Sequence, residues 1–100
     1  MSTTKGKVKI KVVKPGGDIV ASMAKEFKQE LRTQIKKEPE KLIIDMASVK
    51  MIDSIGLGVI ISAYNSLKEK GSKLAISNVR NDILNLLKVM RLDNLFEVKQ

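Results

Sequence analysis

One hundred residues are one domain's worth of chain, and residues 1–100 read as a single unit that can bury a core with a modest margin. The composition, 43% hydrophobic and 30% charged, is globular, and no apolar run approaches the roughly 18 residues that a membrane helix needs. There is no cysteine and no histidine. Disulfides, thiolate chemistry, zinc–thiolate sites and the commonest general base are thereby excluded, which points to a binding protein rather than an enzyme.

The net charge of +8 is carried by lysines spread along the chain, with only three aromatic residues beside them. That pattern fits a solvated surface better than a nucleic-acid site, so no nucleic acid is expected. Met1 to Lys14 alternates lysine with valine and isoleucine where a secretory signal would be continuously apolar, so a cytoplasmic protein is expected.

Lys7–Val13 (KVKIKVV) has the alternation of a half-buried strand, and Lys14–Gly17 follows as a turn. Val20, Ala24, Phe27, Leu31 and Ile35 then recur at helical spacing, with Lys25, Lys28, Arg32, Lys36 and Lys37 opposite and Pro39 beyond the end. Lys41–Met46 is a short apolar run of the buried, parallel type. From Ser54, the positions Leu57, Ile60, Ile61, Tyr64 and Leu67 predict a second helix, closed by Gly71. Lys73–Val79 is a further strand, Asn81 or Asp82 would cap a third helix, and Leu95–Val98 is a short closing strand. Alternating strands and helices imply an α/β fold with helices packed on a sheet.

The segment that departs from plain structural logic is Met51–Ile60, M-I-D-S-I-G-L-G-V-I. Ser54 stands where a helix N-cap is expected. Gly56 and Gly58 follow within about one turn, each costing a helix about 1 kcal/mol relative to alanine. Glycines at such a place lower the surface or admit another backbone. A phosphoryl group on Ser54 would sit at the positive end of the helix, would add roughly −1.5 to −2 charges, and would be repelled by Asp53 beside it. The plainer reading makes Ser54 a cap and the glycines a tight entry; the two are compatible. The spacing matches neither a Walker A loop nor G-x-G-x-x-G.

Leu42–Met46, Val49 and then Asp53-Ser54-Ile55-Gly56-Leu57-Gly58 resemble the signature of STAS domains (sulfate transporter and anti-sigma factor antagonist). The resemblance continues through Lys70–Leu74 and through Leu87–Leu92 to Phe96. It implies a mixed, mainly parallel sheet of about four strands flanked by three to four helices, and no cofactor or metal. It also implies an antagonist that binds an anti-sigma factor serine kinase, is phosphorylated by it on Ser54, and is restored by a metal-dependent serine phosphatase. The residues so marked for partner binding are Asp18, Asp53, Ser54, Ile55, Gly56, Leu57 and Gly58.

Ile55 stands where the family commonly has Ser or Thr, and Val20 replaces the second acid of a Gly-Glu-Leu-Asp element whose first acid is Asp18. These departures keep a second reading open, a phosphorylation-independent subunit of a stressosome-like or transporter complex. Asp45, at a strand end, is expected to cap a turn. The scattered methionines are expected to fill gaps in the core.

Overall fold

The structure, a computed structural model, describes residues 9–100. Four strands, β1 (Ile10–Val13), β2 (Lys41–Asp45), β3 (Lys73–Ser77) and β4 (Glu97–Val98), alternate with three helices, α1 (Ala24–Ile35), α2 (Ser54–Glu69) and α3 (Asn81–Val89). The sheet runs β1-β2-β3-β4, and its three pairings are all parallel. This is the α/β fold expected, with a wholly parallel sheet among the described residues. Lys7 and Val8, assigned to the first strand from sequence, lie outside them.

Register explains the burial. Val13, Ile44 and Ile76 are paired across three strands, and all three are essentially inaccessible. Leu42 and Leu74 form the next buried row. Onto this face pack Phe27, Leu31 and Ile35 of α1, Leu57, Ile60 and Leu67 of α2, and Ile83 and Leu87 of α3, which form one core cluster. Within α1 the predicted stripe holds at its last three positions. Val20 precedes a 3-10 turn, Ala21–Met23, and like Ala24 is only half-buried. In α2, Ala63 is buried while Ile61 and Tyr64 are half-buried, Tyr64 standing 5.8 Å from the ring of Phe96.

The helix ends follow capping chemistry. At the end of α2 the Ser72 N–H donates to the Leu67 carbonyl and the Gly71 N–H to that of Lys68, with Gly71 at φ +75°. This is the Schellman pattern, which needs a left-handed residue at that place. Helix α3 departs from expectation: its N-cap is Arg80, without a side-chain cap bond, and Asn81 is the first helical residue. Asp82 instead sits in the first turn, where its carboxylate accepts from the Ile83 N–H at 3.0 Å and favours the helix dipole.

Candidate functional site: the entry to helix α2

Residues 46–53 lead from β2 into α2, and a buried side chain recurs at every third position along them. Met46 and Val49 are fully inaccessible and Ile52 is 8% exposed, so the connection is anchored from beneath. It is also anchored sideways. Ile19 and Ile52 form an isolated parallel bridge, with Ile19 N–H donating to Met51 O at 3.0 Å and Asp53 N–H to Ile19 O at 3.2 Å. Asp18 Oδ1 accepts from the N–H groups of Lys50 (2.9 Å) and Met51 (3.1 Å). The entry to α2 is therefore a braced ledge rather than a free loop.

Asp53 corrects the assignment of the cap. Its backbone is extended, and its Oδ1 accepts from Gly56 N–H at 2.8 Å, so Asp53 is the N-cap and Ser54 the first helical residue. Aspartate caps as well as serine does. Here it gains a second role that a hydroxyl could not fill at the same time: Oδ2 accepts from Ala21 N–H at 2.8 Å and ties the turn before α1 to the start of α2. The Gly56 bond first, then the Ala21 bond, holds the Asp53 carboxyl below its usual value of 3.8, and the group is ionised at neutral pH.

Ser54, relieved of capping, is exposed, and its hydroxyl bonds to no other described residue. Ile55 beside it is 54% exposed and Met51, at the ledge, 58%. Gly58 is exposed, and a Cβ built on it meets nothing within 4 Å. Gly56 is different. It is buried, and a Cβ there would lie 2.1 Å from the carbonyl oxygen of Ile19. One glycine thus admits the chain's own backbone, and the other leaves the surface low.

The seven residues marked from sequence are brought together and sort by exposure. Ser54, Ile55 and Gly58 form an outer surface. Gly56 and Leu57 are buried beneath it. Asp18 and Asp53 are half-buried, with their carboxylates engaged by backbone N–H groups of the ledge and the helix turns. Sequence reasoning missed Met51 and Met23, the latter 39% exposed. Met51 does not fill a gap; it is exposed beside buried Ile52, in a connection whose buried side chains recur every third residue. Asp45 caps a turn as expected, accepting from Asn78 Nδ2 at 2.9 Å and Ala47 N–H at 3.0 Å, in that order the causes that lower its pKa.

Among the described residues, no three metal-ligating side chains converge and no helix is long and apolar enough to cross a membrane. Among the described residues, no base bonds the Ser54 hydroxyl.

Comparison with known proteins agrees with the fold. An anti-sigma-B factor antagonist of Listeria monocytogenes is 32% identical over 83 residues, covering 83% of this chain and 73% of that protein. The crystal structure of an anti-sigma factor antagonist from Mycobacterium paratuberculosis superposes with a TM-score of 0.78 at 22% identity, covering 88% of this chain and 74% of the other. A sulfate transporter family protein from Wolinella succinogenes superposes with a TM-score of 0.79 at 21% identity, covering 98% and 84%. The family model described as the STAS domain matches residues 2–100, and the chain belongs to the STAS domain family.

Proposed function

We propose that this protein is an anti-sigma factor antagonist-like partner-switching regulator of the cytoplasm. Unmodified, it binds an anti-sigma serine kinase through the surface around Ser54. Phosphorylation of Ser54 releases the partner, and a serine phosphatase resets the switch. The observation that carries this reading is the exposed Ser54 hydroxyl, bonded to no other described residue, on the first turn of α2, flanked by exposed Ile55 and Gly58 on a braced ledge. The Listeria relative, named as an antagonist of this kind, supports it.

The physics of the switch is local. A phosphoryl group would bring roughly two negative charges and three acceptor oxygens to a surface that otherwise offers a small hydroxyl and apolar neighbours. At the start of a helix that charge is tolerated by the fold, because the dipole favours it. A partner seated over Gly58 would meet new bulk and a hydrated anion, and docking would fail while the fold persists.

The test is binding to the anti-sigma serine kinase of the native host by titration calorimetry. Ser54→Ala should bind and Ser54→Asp should not; equal binding by both overturns the switch. Peptide mass spectrometry on protein from that host should find the phosphoryl group on Ser54. A second reading, a permanent interaction subunit that ignores the charge at position 54, draws on the apolar exposure of Ile55 and Met51 at the same site. A complex equally stable with Ser54→Asp would select it.

A further inference from the structure

Helix α1 is sorted by charge across its two flanks. Lys25, Lys28, Arg32 and Lys36, spaced three, four and four apart, share one face, and of these Lys28 and Arg32 border α2. Glu26 and Glu30 share the other, lining a separate hollow with Asp18 and Met23. On the α2 side, Lys28 and Arg32 border a cleft of about 70 Å³ whose opposite wall is Val59, Ser62 and Ser66. Leu31, Ile35 and Ala63 lie at its base. Neither Lys28 nor Arg32 is in an ion pair with another described residue. The facing stripe of α2 carries no charge until Glu69, nearly a turn beyond Ser66.

The cleft begins just beyond the ledge. Val59 lies one turn from Ile55 and next to Gly58, and α1 and α2 start together through the Asp53–Ala21 bond. We infer that the α1–α2 cleft is the second half of the partner surface, and that it receives an acidic protein segment. The segment's carboxylates would meet Lys28 and Arg32, and one small apolar side chain would enter between Val59 and Ala63. This rests on the reading of the chain as a partner-binding protein and gives that partner a charge.

Size and charge layout select this occupant. A cleft of about 70 Å³ falls well below the 300 Å³ or more of small-molecule sites. A broad anionic surface such as a duplex or a membrane would span the roughly 10 Å width of α1 and meet Glu26 and Glu30 as well as the cations. A narrow acidic segment confined to the cleft meets only the cations. The sign also accounts for release. Ser54 and Val59, the cleft's upper end, are five residues apart, about 7.5 Å along the helix axis and close to the Debye length of about 8 Å in physiological salt. A phosphoryl group on Ser54 would repel the acidic segment without touching it.

The probe is a fluorescein-labelled amphipathic peptide with glutamates at i and i+4 and valine and alanine on the apolar face. Fluorescence anisotropy and amide shifts of the full chain follow its binding. The peptide is expected to bind, to shift Val59, Ser62, Ala63 and Ser66, and to lose about tenfold or more in affinity with the K28E/R32E pair, the kind of loss expected on reversing charges at a docking rim. The Glu26→Lys, Glu30→Lys pair should not weaken it, and a thermal melt of each variant confirms that it folds. A glutamine-for-glutamate peptide that binds equally well, or K28E/R32E binding as tightly as the parent, overturns the inference. So does duplex DNA or a phosphatidylglycerol vesicle binding more tightly than the peptide and losing more with K28E/R32E. The two proposals fail separately: Ser54 variants that bind the kinase equally sink the switch, and a silent peptide with the switch intact sinks the cleft.

Discussion

Gly56 and Gly58 are two residues apart and identical in sequence terms, yet they meet opposite surroundings. Gly56→Ala drives a Cβ into the Ile19 carbonyl, a backbone atom that cannot swing aside, and should destabilise by roughly 2–3 kcal/mol in chemical denaturation. Gly58→Ala enters open space within the helix and should stabilise by up to about 1 kcal/mol. If Gly58 keeps the surface low for a partner, the same substitution weakens binding while raising stability. Asp53 makes a prediction in pH. Its folded pKa is depressed, so the stability it contributes is fully present above the ordinary value of 3.8 and is lost as pH falls through the lowered value. Asp53→Asn should therefore be less stable at neutral pH and should show a shallower acid limb below about pH 4 when unfolding is followed by circular dichroism. Ser54→Asp, one residue on, should leave the melting temperature nearly unchanged, because an exposed acid at a helix start is favourable.

The elements were legible to different depths. Helix α2 was clear from its apolar period and from Gly71, whose positive φ serves the closing motif. Its first residue was not, because Asp53 and Ser54 are both good caps and adjacent. Only the proximity of Ala21, 32 positions earlier, favours the residue with two acceptor oxygens. The cap of α3 was misplaced for a related reason: Asn81 and Asp82 have cap-forming side chains, but the extended residue before the helix is Arg80. Between α1 and α2, Leu31 carries the contact at 1% exposure. Leu31→Ala should cost about 2–5 kcal/mol and should loosen the cleft and ledge together. Hydrogen exchange would then show faster exchange in the first turn of α2 than in β2.

At the scale of the whole molecule, the site joins three stretches far apart in sequence: the Asp18–Ile19 loop, the 46–53 connection and the start of α2. The ledge should therefore open only with the core. Native-state hydrogen exchange should place the Asp53 and Gly56 amides closer to the protection of β2 than to that of the Gly16–Gly17 turn. The surplus of positive charge is not uniform either. It includes a flank of α1 beside α2, while the opposite flank holds two glutamates. A reading from composition alone spreads that charge over the surface, because periodicity gives a helix's flanks but not which neighbour each flank meets.

By itself, the sequence determined the alternation of strands and helices, the centres of the buried stripes, the helix stop at Gly71 and the motif from Asp53 to Gly58. All of these depend on residues within a turn or two of one another, where periodicity and propensity decide. The tertiary structure decided which aspartate caps α2, which glycine is packed and which is open, and which flank of α1 borders α2. Each of those depends on a contact between distant stretches, Ile19 against Gly56, Ala21 against Asp53, Lys28 and Arg32 across from Ser62 and Ser66, and such contacts exist only once the core has brought the stretches together.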